Sequence, residues 1–169
     1  MRIIRHISSF PQNLKGGAVA IGNFDGIHRG HQALIRQCRI LADQVGNSTL
    51  ALTFEPHPRN LFQPDAPPFR LTPFRSKARL LAGLGVDCLI SLRFDKQASL
   101  QSADDFVRDV LATGLRPRHV VVGYDFVFGH RRGGNVALLR KAGERLGFEV
   151  SVLEPVTHDD DVCSSTIIR

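Results

Sequence analysis

The sequence predicts an α/β domain built on a doubly wound, five-stranded parallel sheet. Three observations carry this. Short runs rich in Val, Ile, Leu or Phe alternate with helical patterns along the chain. Those runs are apolar at consecutive positions, as strands buried on both faces are. Glycine directly follows the second, third and fourth helical patterns as well as the first, a recurrent stop signal.

The strands are expected at Ala18–Gly22, Thr49–Phe54, Asp87–Leu92, His119–Gly123 and Glu149–Leu153. The first helix is expected over about Gly30–Val45, where Leu34, Cys38, Leu41 and Val45 form one stripe. The second runs over about Pro73–Leu84 and stops at Gly85. The third, Ser102–Thr113, stops at Gly114; Ser102 is its N-cap, with Asp104 and Asp105 in the first turn. The fourth, Asn135–Leu146, has Asn135 as N-cap and stops at Gly147.

Strand–helix alternation places helices on both faces, with right-handed crossovers. Ligands of such sheets bind beyond the carboxyl ends of strands where the order reverses. The first and fourth strands both end in glycine-bearing loops, Gly22–Gly30 and Gly123–Gly129. They are therefore expected to be neighbours, giving the order 3-2-1-4-5. Between the second strand and second helix lies an unusually long connection, Glu55–Thr72. With Pro73 it holds six of the nine prolines, which stiffen it. Phe62, Phe69 and Leu71 offer apolar anchors, so a substrate flap or wall is expected rather than a disordered insertion.

The 169 residues suffice for one domain with a sizeable core. No apolar run is long enough to span a membrane, and the N-terminus lacks the apolar stretch of a signal peptide, so a cytoplasmic protein is expected. Cys38, Cys88 and Cys163 show no paired spacing; the first two read as core residues. The net charge of +6 favours anionic partners, and His130-Arg131-Arg132 is a local basic cluster. Nothing interleaves aromatic residues with a basic stripe, so a nucleic-acid-binding module is the weaker reading.

The chemistry concentrates in Gly22-Asn23-Phe24-Asp25-Gly26-Ile27-His28-Arg29-Gly30-His31, which links the first strand to the first helix. Helix N-termini present unpaired N–H groups and partial positive charge, and glycines let the backbone approach an anion. His28 and His31, three apart, share one helical face. The stretch contains neither a Walker-type phosphate loop nor G-x-G-x-x-G, and the chain has no H-E-x-x-H zinc pattern. Zinc held by His28, His31 and His57 is disfavoured, since no cysteine or carboxylate completes the set.

The H-x-G-H stretch resembles the first signature of the nucleotidyltransferase superfamily that includes class I aminoacyl-tRNA synthetases. Its wider form is similar to one branch, the FMN adenylyltransferase module of bacterial bifunctional riboflavin kinase/FAD synthetase. Three more segments match that family: Thr53-Phe54-Glu55-Pro56-His57-Pro58, Val122-Gly123-Tyr124-Asp125-Phe126-Val127-Phe128-Gly129 and Ser164-Ser165-Thr166-Ile167-Ile168-Arg169. Together the four cover nearly the whole chain.

The resemblance implies a Rossmann-like nucleotidyltransferase fold over 1–169 and transfer of AMP from ATP to FMN, with Mg²⁺, releasing pyrophosphate. It implies small-molecule substrates, with no nucleic acid and no membrane. His28, His31, Asp125, Ser164, Thr166 and Arg169 take catalytic roles on the phosphates, and Asp125 is also the expected Mg²⁺ contact. Gly22, Phe24, Asp25, Gly26, Gly30, Gly123 and Ser165 shape the ATP site; Asp25 orients either the loop or its metal. Pro56, His57 and Pro58 contact flavin, and Phe62, Phe126 and Phe128, with Phe54, are candidates for packing on the isoalloxazine ring. Aromatic residues at strand ends are more often core. The last motif departs from the family at Ile167, where a basic residue is usual. The family's riboflavin kinase domain would follow Arg169 and is absent from this chain, which the resemblance leaves as either a fragment of a bifunctional protein or a stand-alone enzyme. A different adenylyl- or cytidylyltransferase of the superfamily is the runner-up; Pro56-His57-Pro58 and the proline-rich connection argue against it.

Overall fold

Six parallel strands form the central sheet of the computed structural model, which describes residues 1–169. In chain order the elements are β1 (Arg2–Ile4), β2 (Ala18–Ile21), α1 (Arg29–Gln44), β3 (Thr49–Glu55), α2 (Pro58–Phe62), α3 (Phe74–Gly83), β4 (Cys88–Arg93), α4 (Lys96–Ser99), α5 (Ala103–Phe106), β5 (His119–Gly123), β6 (Val127–Phe128), β7 (Gly134–Asn135), α6 (Val136–Leu146), β8 (Glu149–Leu153), β9 (Thr157–His158), β10 (Asp161–Val162) and α7 (Ser165–Ile168). The sheet order is β1-β4-β3-β2-β5-β8, which is the expected 3-2-1-4-5 with one strand added at the edge. The added strand is β1, paired in parallel with β4 from Arg2 opposite Cys88. Three residues, two of them exposed, carry too little periodicity to be read as a strand.

Alternate side chains of each strand feed two separate cores. Ala18, Ala20, Ala51, Leu89 and Val121 pack beneath α1 and α3 with Leu34, Ile35, Cys38 and Leu81. Val19, Ile21, Leu50, Leu52, Ile90, Val120 and Val122 face the opposite side, against Phe106, Val107, Leu111, Leu115 and Leu139. The strand residues Ala18–Ile21 are all buried, which explains their unbroken apolar run.

The predicted caps of the last two helices form. Ser102 Oγ accepts from the Asp105 amide at 3.1 Å, and Asn135 Oδ1 from the Leu138 amide at 2.9 Å. Gly147 stops α6 at a left-handed φ of 89°. The expected stop at Gly114 is corrected. The helix begun by α5 continues in a wider π-type coil over Val107–Leu115, and Arg116 takes the left-handed turn at φ 46°. Gly114 is buried inside that coil because a Cβ there would lie 2.7 Å from Ile7 Cγ1. Glycine here answers close packing rather than termination. The connection after β3 is also more regular than expected: it opens with a cis Glu55–Pro56 bond and forms the short helix α2.

Candidate active site

The reversal of strand order falls between β2 and β5, and the loops after both strands meet at the carboxyl edge. The loop after β2 is held by apolar residues turned inward. Phe24 and Ile27 adopt left-handed φ of 50° and 40° while being 0% and 5% exposed. Such backbone strain costs about 1–3 kcal/mol per residue, and burying a large apolar side chain offsets it by about 1.5–3 kcal/mol. Gly26, at φ 86°, lies against Leu71; a Cβ there would come within 2.9 Å of Leu71 Cδ1.

Asp25 is the knot of this loop. Its Oδ1 accepts from the amides of Leu71 and Thr72, both at 2.9 Å. Its Oδ2 accepts from Arg169 Nη2 at 2.6 Å, and its carbonyl accepts from Ser165 Oγ at 2.6 Å. Burial pushes the carboxyl upward, but the Thr72 and Leu71 amides and Arg169 outweigh it and leave the pKa lowered. Both carboxylate oxygens of Asp25 are thus engaged by protein donors, which tie this loop to Leu71, Thr72 and Arg169.

His28 is the N-cap of α1, and its Nδ1 accepts from the His31 amide at a long 3.4 Å. That bond requires Nδ1 to be unprotonated, so the proton of neutral His28 sits on Nε2. The two imidazoles stack with centroids 3.7 Å apart and planes at 25°. Burial lowers the pKa of His28, opposed by the charges of Asp125 and Asp25. Burial also lowers that of His31, to about 3, aided by the charge of Lys77 and by that of His28 once acid protonates it. Nδ1 of His31 is buried without a partner, and a proton on Nε2 avoids burying an unmatched N–H. Gly30 sits in a tight space between them: a Cβ would meet the His28 ring at 3.1 Å and the Cys163 carbonyl at 3.3 Å.

The final motif lies against this helix start. Ser164 Oγ caps α7 by accepting from the Ile167 amide at 3.3 Å, while Thr166 and Ile167 are exposed. Arg169 donates through Nε to the Phe69 carbonyl at 2.8 Å, and its guanidinium lies 5.2 Å from the Phe69 ring centre. Gly22 abuts the Phe24 ring, and Gly123 the exposed Asp125, whose Oδ1 is 3.3 Å from a Cβ built at Gly123. Thus Gly22–His31, Gly123–Asp125 and Ser164–Arg169 converge.

The expected flavin residues divide into two groups. His57 caps α2 by accepting from the Arg59 amide at 3.1 Å, and its ring meets Phe69 edge-on at 5.1 Å, on the Arg169 side. Burial lowers its pKa. Pro56 is exposed and Pro58 half-buried beside it. The phenylalanines form a separate aromatic group: Phe126 stacks on buried Phe128 at 5.2 Å, Phe128 touches Phe106, and exposed Phe62 meets Phe94 edge-on. A cavity of about 380 Å³ opens there, lined by Phe54, Leu92, Arg93, Phe94, Gln101 and Phe106 among others.

The family model described as FAD synthetase matches residues 10–167. The chain belongs to the FAD synthetase family. It is 39% identical over 170 residues to the bifunctional riboflavin kinase/FMN adenylyltransferase of Escherichia coli strain K12, covering 100% of this chain and 54% of that protein. Its identity to the Haemophilus influenzae protein of the same name is 38% over 169 residues, covering 100% and 55%. The chain spans about half the length of the curated relatives it matches. A crystal structure of a protein titled macrolide-efflux protein, from Streptococcus pneumoniae, superposes with a TM-score of 0.86 at 25% identity, over 99% of this chain and 55% of that one. Pantoate-beta-alanine ligase from Francisella tularensis shares the fold, with a TM-score of 0.59 at 15% identity, over 99% and 72%.

In this FAD synthetase family member, three residues that build the candidate site carry no motif in the sequence. Phe94 and Phe106 line the cavity from elements remote in sequence, so no local pattern flagged them. Lys77 had a legible signal: it lies on the buried stripe of α3, four residues before Leu81, and is 1% exposed. Its Nζ donates to the Asn23 carbonyl at 2.7 Å and to Glu55 Oε1 at 3.0 Å. Burial lowers its pKa and the Glu55 pairing opposes that. No helix is long and apolar enough to cross a membrane.

Proposed function

We propose that this chain is an FMN adenylyltransferase, joining ATP and FMN into FAD and pyrophosphate. The observation that carries this reading is the stacked, neutral His28–His31 pair at the head of α1, placed where the strand order reverses. A phosphate oxygen of FMN attacks the α-phosphorus of ATP, the bond from that phosphorus to the bridging oxygen breaks, and pyrophosphate departs. The attacking oxygen is already anionic, so no base is required. Catalysis is alignment plus absorption of charge.

The Nε2–H groups of His28 and His31 donate to phosphate oxygens without needing a proton from solvent, beside the positive end of α1. The hydroxyls of Ser164 and Thr166 and the remaining Nη1 of Arg169 serve the pyrophosphate. Gly22, Gly26, Gly30 and Gly123 keep the ATP side open to close approach, while Phe24, Asp25 and Ser165 hold the loop.

No three His, Cys, Asp or Glu side chains gather as a metal-binding group. Mg²⁺ takes one or two carboxylates and fills its shell with phosphate and water. Exposed Asp125, whose charge is felt at His28, is the protein ligand that fits it. When bound, the ion neutralises phosphate charge. The aromatic cavity has the size and lining for the flavin ring, with Phe62 at its margin, Phe126 and Phe128 behind Phe106, and Pro56-His57-Pro58 on the phosphate side. In a longer protein of the relatives' length, riboflavin phosphorylation falls to the part beyond this chain.

The test is incubation of the chain with ATP, Mg²⁺ and FMN, followed by chromatography for FAD. Absence of FAD overturns the proposal. Turnover of CTP, or of pantetheine, nicotinate or glycerol phosphates in place of FMN, favours the wider superfamily reading instead.

A further inference from the structure

The proline-rich segment 55–72 is closed on itself and fastened at both ends to the same stretch of the phosphate loop. Arg70, near its end, pairs with Glu55 at its start. At the near end, Lys77 Nζ bridges Glu55 Oε1 and the Asn23 carbonyl, at 3.0 and 2.7 Å. At the far end, Asp25 Oδ1 takes the Leu71 and Thr72 amides, and Thr72 Oγ1 accepts from the Gly26 amide at 2.6 Å. Arg169 then locks the junction, with Nη2 on Asp25 and Nε on the Phe69 carbonyl.

These charges are an unusual choice for mere stability. Replacing buried ion pairs by well-packed apolar residues is often neutral or stabilising, whereas losing one partner is costly. What hydrogen-bonded charges add is fixed geometry. The segment they fasten begins with Pro56-His57-Pro58, and the loop they fasten it to leads into His28 and His31.

We propose that Lys77 and Arg169 are positioning residues: with Asp25 they clasp segment 55–72 to the phosphate loop, so that the flavin-side and ATP-side loops move as one body. This rests on the adenylyl-transfer reading for its catalytic consequence, but not for its structural one. Nη1 of Arg169 remains for phosphate; Nε and Nη2 belong to the clasp.

The experiment compares the wild-type chain with Arg169→Gln, Arg169→Lys and Lys77→Met, measuring amide hydrogen exchange at Gly26, Leu71 and Thr72 and steady-state KM for FMN and ATP. Arg169→Gln is expected to speed exchange at Leu71 and Thr72 by about tenfold or more, the response of a loop released to local opening. It also raises KM for FMN, which an arginine serving only the pyrophosphate oxygens of ATP would not. Arg169→Lys restores part of the protection. Lys77→Met has the same effect on Leu71 and Thr72, amides it does not touch. If Lys77→Met does not fold, the Arg169 variants decide alone. Exchange within about twofold of wild type in Arg169→Gln overturns the clasp. Should the wild-type chain form no FAD, the adenylyl-transfer reading fails, while the exchange result still decides the clasp.

Discussion

Acid should weaken this fold through one identifiable imidazole. The His31 pKa is pushed down to about 3 in the folded chain against an ordinary 6.5, because the ring is buried and, as acid protonates His28, it faces the positive charges of His28 and Lys77. Unfolding therefore takes up a proton at any pH between those values. The stability due to neutral His31 is complete above about pH 6.5 and is lost progressively as pH falls toward about 3, by at most about 1.4 kcal/mol per pH unit. Between about pH 7.5 and about pH 4.5 the loss amounts to roughly 2 to 3 kcal/mol, a large share of a domain's usual stability. The assay is urea unfolding of wild type and His31→Gln at both pH values. The variant carries no proton at that site, so its stability falls less steeply by about that amount. His28 and His57, also lowered by burial, tilt both proteins in the same direction. Asp25, also lowered, acts in a more acid window, where its stabilisation is lost below its ordinary 3.8. Equal acid losses in the two proteins would refute the reasoning.

Three further outcomes are expected. His28→Ala or His31→Ala lowers kcat for FAD formation by about 100-fold or more, the scale of losing an oxyanion donor, with a smaller effect on thermal midpoint; equal loss of both points to a structural role. Gly30→Ala drives a methyl toward the His28 ring and the Cys163 carbonyl, so FAD formation falls while chemical denaturation shifts by about 1–3 kcal/mol at most. Phe106→Leu leaves a chain that folds yet binds FMN more weakly in calorimetry, with ATP binding unchanged, because Phe106 lines the aromatic cavity and not the phosphate loop.

In the proposed adenylyl transfer, a neutral histidine pair lets one helix start serve an already charged nucleophile. A cap fixes the tautomer of His28, burial holds His31 unprotonated, and the helix end supplies the field. Nothing in this arrangement calls for proton transfer in the step itself.

The amino-acid sequence alone determined the strand–helix alternation, the N-caps at Ser102 and Asn135, the neighbouring positions of the first and fourth predicted strands, and the H-x-G-H helix start. All but the strand adjacency are local, resting on the spacing of apolar residues, a capping side chain or a glycine within a few positions; the adjacency followed from the glycine-bearing loops after both strands and the place where such sheets bind ligands. The edge strand Arg2–Ile4, the passage of a helix through Gly114, the cavity wall from Phe94 and Phe106, and the contacts of Asp25 were decided only by tertiary structure. Asp25 meets Leu71, Thr72 and Arg169 across 46, 47 and 144 residues of chain. Sequence spacing carries no record of such contacts, because they follow from which loops the parallel sheet delivers to one edge.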